Sequence, residues 1–104
     1  MRTDLKPLFI PLKTLYLEQF KTGYKTHEIR LVSKRWNRNN CYPGRKVILS
    51  KGYGNYERLN GEIISVDVFP ADELLADEKD AFIDCFGEEK LHMDVIYIGI
   101  KIDE

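Results

Sequence analysis

Isoleucines at 96, 98, 100 and 102 alternate with Tyr97, Gly99 and Lys101. Side chains two apart share one face of a strand, so the run predicts a C-terminal strand over 93–102 with those isoleucines facing a core. An apolar sheet face needs a second layer to cover it. A second alternating stretch, 62–69, is expected to pair with it, with Ile64, Val66 and Val68 inward and Ser65 and Asp67 outward. The chain of 104 residues is long enough for one core and is read as a single domain over 1–104.

The other elements follow from punctuation. A short edge strand over 5–10 is broken by Pro7 and closed by Pro11. A helix over 12–22 carries Leu12, Leu15, Tyr16 and Phe20 on one face, with Pro11 in its first turn and Gly23 at its left-handed end. A strand over 24–32 sets Thr26, Glu28 and Arg30 on one side and Lys25, His27 and Ile29 on the other. Residues 33–42 have no periodicity and read as a long basic loop, closed by a Pro43-Gly44 turn. A strand over 45–51 and a flexible aromatic loop over 52–56 come next, and Asn60-Gly61 signals a tight turn or a bulge. A second helix over 72–86 would be capped by Asp72, carry Leu75, Phe82, Ile83 and Phe86 as its apolar stripe, and end at Gly87. The order β-α-β-loop-β-β-α-β is too irregular for a doubly wound parallel sheet. It fits an α+β fold, a small, mostly antiparallel barrel flanked by two helices.

No run of 18 apolar residues is present, so no membrane helix is expected, and the N-terminus lacks the apolar stretch of a secretory signal. Cys41 and Cys85 form no ligand or disulfide pattern and are expected as reduced thiols in a cytoplasmic protein. His27, His92, Cys41 and Cys85 show no metal-ligand spacing, and Asp77, Glu78, Asp80 and Asp84 read as the solvated face of a helix. No dedicated metal or other cofactor is expected.

Charge is unevenly placed along the chain. Residues 21–58 hold ten basic side chains against Glu28 and Glu57, whereas residues 59–104 hold 13 acidic ones against three lysines. Such asymmetry points to a nucleic-acid surface on the basic half, or to halves that neutralise one another across the fold. The acidic C-terminal half is also a possible dock for a basic protein partner. Within the basic half, Lys34, Arg35, Trp36 and Arg38 combine cations with a ring, Tyr42 adds a second ring, and Asn37, Asn39 and Asn40 supply amides able to read base edges. Tyr53 and Tyr56 add rings that stack on unpaired bases. For Trp36 the alternative is packing at the end of the barrel.

Gly23-Tyr24-Lys25-Thr26-His27-Glu28-Ile29-Arg30 resembles the signature of the ASCH family, Gly-x-Lys-x-x-Glu-x-Arg after the first helix. Pro43-Gly44, the stretch 49–54, Leu59-x-Gly61-x-Ile63 and Tyr97-Ile98-Gly99-Ile100 extend the similarity along nearly the whole chain. The resemblance implies a PUA-like β-barrel with a cleft beside the first helix, and RNA as the usual partner, often through a modified or unpaired base. Arg45 stands where many members of the family place an acid. One branch of the family consists of acetylcytidine amidohydrolases, and some members are reported as ribonucleases. The amidohydrolase branch resembles Lys-Thr-x-Thr-x-Arg, and here Glu28 replaces the second Thr. That branch also implies a catalytic Glu near the second helix, for which Glu73 and Glu78 are the candidates.

The expected function is therefore RNA or nucleotide binding in a cleft lined by Lys25, Glu28 and Arg30. Lys34, Arg35, Trp36 and Arg38 would extend the surface, Ser50 would contribute a hydroxyl, and Tyr53 would stack on a base. If Glu28 pairs with Lys25, the lysine stays a cation. If Glu28 pairs with Arg30, it fixes that guanidinium and leaves Lys25 free. The alternative is a small hydrolase of acylated nucleosides or RNA phosphodiesters, with Lys25 and Glu28 acting on water. His27 would face away from Glu28 and is read as a surface or barrel histidine.

Overall fold

The computed structural model describes residues 6–54 and 57–103. Leu5 of the expected first strand and the Asn55-Tyr56 part of the aromatic loop lie outside them. Five strands form one curled, half-barrel sheet in an α+β fold compatible with a PUA-like barrel. Its elements are β1 (Leu8–Leu12), α1 (Thr14–Thr22), β2 (His27–Leu31), β3 (Lys46–Lys51), β4 (Arg58–Pro70), α2 (Ala76–Phe86) and β5 (Asp94–Ile102). The strand order is β1-β3-β4-β5-β2, with β1 parallel to β3 and every other pair antiparallel. β1 and β2 are therefore the two free edges.

Two cores lie on opposite sides of the sheet. Ile96, Ile98 and Ile100 of β5 join Ile10, Leu17, Phe20, Val47, Leu49 and Ile63 in the barrel interior. On the other face, Val95 and Tyr97 pack with Phe82 and Phe86 of α2 and with Ala71 and Leu74. The interior strand β5, between β4 and β2, is thus covered on both faces, and its alternation separates two apolar environments.

Several sequence expectations are corrected. Pro11 lies in β1 and does not begin the helix. In β1 the carbonyls of Phe9 and Pro11 point away from β3, since both are reached by side chains from outside the sheet. A proline at such an edge position forfeits no ladder bond. With Leu12 in β1, the buried face of α1 is Leu17 and Phe20, and Leu15 is 63% exposed. Asn60-Gly61 makes no turn but runs within β4, where a Cβ on Gly61 would lie 2.8 Å from the Lys101 carbonyl oxygen. The bulge falls between Ile63 and Ser65. It re-phases the strand, so Ile63 is buried and Ile64 is 57% exposed, while Val66 and Val68 still pack on the core.

Asp72 does not cap the second helix. It sits in a 3-10 turn at Ala71–Glu73 and accepts from Lys79. Leu74 and Leu75 are extended, so α2 starts later, with the Leu75 amide donating to Glu78 Oε1. Leu75 is largely exposed and does not belong to the apolar stripe. The glycine assignments agree with the structure. Gly23 ends α1 at φ 81°, and Tyr42-Pro43-Gly44-Arg45 closes a turn with Gly44 at φ 96°.

Candidate functional site

The half-barrel does not close through backbone pairing, and the candidate site lies at that seam. Glu28 and Arg30 share one face of β2, as the period of two requires. Arg30 Nε donates to Glu28 Oε2 at 2.5 Å, and Arg30 Nη2 donates to the Pro11 carbonyl at 2.7 Å. One guanidinium therefore ties the edge strand β2 to the opposite edge strand β1. Its central carbon, Cζ, lies over the Trp36 ring, 4.5 Å from the ring centre. Glu28 is buried, and Arg30 is the ion-pair partner that compensates its charge.

A cleft of about 890 Å³ runs beside this seam, between α1, β2 and α2. Lys25, Glu28 and Arg30 all line it. Of the two arrangements open to Glu28, the structure has the pair with Arg30. The Lys25 ammonium lies over the rings of Tyr16 and Phe20, 5.3 and 5.8 Å from their centres. Burial, with a contribution from Cys85, pushes the Tyr16 hydroxyl above its usual range.

The other face of β2 carries residues whose part in the cleft was not expected. The His27 ring stacks on Tyr97, centroids 4.3 Å apart and 17° from parallel. Thr26 Oγ1 lies 2.9 Å from His27 Nδ1. The Tyr97 hydroxyl donates to Glu78 Oε2 at 2.6 Å. Burial and this bond raise the Tyr97 pKa to about 12, while burial pushes His27 below its ordinary value. Gly99, opposite His27 in the ladder, makes room for the ring: a side chain there would collide with Ser65 and crowd His27 Nε2. The available signal was Gly99, which lies between Tyr97 and Lys101 on the face of the strand opposite the isoleucines and carries no side chain. Of the two candidate glutamates, Glu78 lines the cleft, whereas Glu73 is exposed outside it. Both Glu78 oxygens already accept, one from Tyr97 and one from the Leu75 amide.

The basic loop is built differently from what its composition suggests. Arg35 donates to the Phe9 carbonyl, Arg38 to the Val66 carbonyl, and Arg45 to the carbonyls of Asn40 and Lys6. Asn37 uses both ends of its amide inside the loop, donating to Ser33 and Lys34 and accepting from Asn39 and Asn40. Asn37 is therefore a loop staple, and the expectation that it reads base edges is corrected. Trp36 is half-buried on the barrel core, between Arg30 and Arg35. Lys34 is exposed. Ser50 is fully buried and donates to the Gly54 carbonyl, so its hydroxyl shapes the loop and does not line the cleft. Tyr53 is 81% exposed and stands over a second, shallow hollow on the far side of Arg30.

Among the described residues, one ion pair, Lys46–Glu62, joins the basic and acidic halves of the sequence. Direct pairing therefore does not neutralise the asymmetry. Also among the described residues, no three His, Cys, Asp or Glu side chains gather in a metal-holding group, and no helix is long and apolar enough to cross a membrane. Cys41 is buried and Cys85 exposed, both as free thiols.

No family model and no curated protein matches the chain. Among solved structures, the crystal structure of the hypothetical protein PH0355 superposes with a TM-score of 0.70 at 22% identity. The match covers 94% of this chain and all of the other. At that identity the likeness is one of fold.

Proposed function

We propose that this chain is an RNA- or nucleotide-binding domain of the ASCH type, which recognises a base in the cleft between α1 and α2. The observation that carries the reading is a buried carboxylate, Glu28, in the wall of a cleft that also presents several rings, with its charge compensated from one side by Arg30. Such a carboxylate accepts from the exocyclic amine of a base, and the discrimination is high because an unmet buried acceptor is costly. Tyr16 and the His27–Tyr97 pair offer ring faces, and Lys25 offers a cation for phosphate or carbonyl oxygen. The motif resemblance supports the same reading.

The hydrolase alternative rests on Lys25 and Glu78 lining the same cleft. The occupied oxygens of Glu78 make it a brace between α2 and β5 and count against a free general base. The test is a titration with fluorescein-labelled single-stranded RNA of mixed sequence and with the four nucleoside monophosphates, in parallel with Lys25→Ala and Glu28→Gln. Base-dependent binding that both variants weaken by about tenfold or more is the expected result. Absence of binding at low salt overturns the proposal, and turnover of N4-acetylcytidine by the unmodified protein would replace it with the hydrolase.

A further inference from the structure

The cleft has a neighbour. A shallow hollow on the other side of Arg30 is lined by Lys13, Thr14, Lys51, Gly52 and Tyr53. It shares Pro11, Leu12, Lys13 and Arg30 with the cleft, so the two are continuous across the seam. Three cations line it, and among the described residues no acidic side chain does. Glu57, whose backbone carbonyl meets the Lys51 amide, turns its carboxylate to Lys21 at 2.6 Å. At the edge of the hollow the exposed Tyr53 ring is steadied by Phe9, with ring centres 6.1 Å apart, and the Arg58 guanidinium lies over Phe9 in turn.

We infer that this hollow is a second nucleotide subsite, which holds the phosphate adjoining the cleft-bound base on Lys13 and Lys51 and stacks the next base on Tyr53. The inference rests on the cleft reading above and deepens it: the preferred ligand becomes a polynucleotide strand and not a free nucleoside. The Tyr53 ring is left facing solvent. Beside cations with no acid among them, it has the composition that single-stranded nucleic acid requires. Arg30 stands at the junction, immobilised by Glu28 and the Pro11 carbonyl, where the sugar-phosphate link would cross.

Lys51 and Tyr53 line the hollow but not the cleft, and both are exposed, so they separate the two subsites without disturbing the core. The experiment compares a 12-nucleotide mixed-sequence RNA with nucleoside monophosphates, for the unmodified chain, Lys51→Ala with Tyr53→Ala, and Lys25→Ala. The expected result is that the double variant loses about tenfold or more of the RNA affinity, with a shallower salt dependence, and keeps its mononucleotide affinity within about twofold. If the double variant binds RNA with unchanged affinity and salt slope while Lys25→Ala weakens both ligands, the second subsite is overturned and the cleft reading stands. If the unmodified chain binds neither ligand, the cleft reading falls first and the subsite with it.

Discussion

The basic loop 33–45 and the strand β2 both concentrate charge, and the fold uses that charge in opposite ways. In the loop, Arg35, Arg38 and Arg45 each donate to backbone carbonyls, some from residues far along the chain. In β2, Arg30 meets a buried carboxylate at the wall of a cleft. These guanidinium groups, bound mostly to carbonyls outside the loop, tie the irregular segment to β1, to β4 and to the chain before β1. Arg30, bound to a carboxylate as well as to the Pro11 carbonyl, instead sets an ion pair in the wall of the cleft. Counting cations along the sequence does not distinguish these uses, because the difference lies in which acceptors the fold brings near.

The comparison can be broken by removing one partner at a time. Arg30→Ala strands the Glu28 carboxylate and is expected to cost about 3 kcal/mol, read as the shift of a urea unfolding midpoint. Adding Glu28→Leu to that variant should recover part of the loss. A variant of Arg30 alone as stable as the unmodified chain would show that the pair is not buried as described. Asn37→Ala is expected to cost about 1–2 kcal/mol, since it removes a staple of several hydrogen bonds from the loop alone. Its effect on RNA affinity should stay within about twofold, and a larger loss would place the loop in the binding surface after all.

The smallest effect concerns pH. Burial depresses the His27 pKa, so the folded state binds fewer protons than the unfolded one below the ordinary histidine value. Its contribution is complete above about pH 6.5 and is lost as the pH falls through that value toward the depressed folded one. Lys25 adds to the depression, and Glu78 and Asp67 oppose it. His27→Gln should flatten the stability profile between about pH 7 and 5, measured by thermal unfolding. An unchanged slope would mean that His27 titrates alike in both states.

The element order and the strand β5 were legible because alternation is a local property of a buried sheet. Glu28 and Arg30 were legible as a same-face pair for the same reason. What escaped depends on register. Ile64 looked inward until the bulge at Ile63/Ser65 re-phased β4. Leu15 looked buried until Leu12 proved to belong to β1, which shifted the helix face to Leu17. The Tyr97–Glu78 bond joins residues 19 apart on different elements, and no spacing rule reaches it. Ser50 and Asn37 share their difficulty: a polar side chain in a loop-rich chain finds its partner in nearby backbone, and the residue type does not say which.

The edge strand β1 carries a last consequence. A free sheet edge is a template on which other chains can add strands and aggregate. Here Pro11 offers no amide to an incoming strand, and the outward carbonyls of Phe9 and Pro11 are already taken by Arg35 and Arg30. The arginine that braces Glu28 in the cleft wall thus also blocks sheet growth, so a substitution there endangers solubility along with stability.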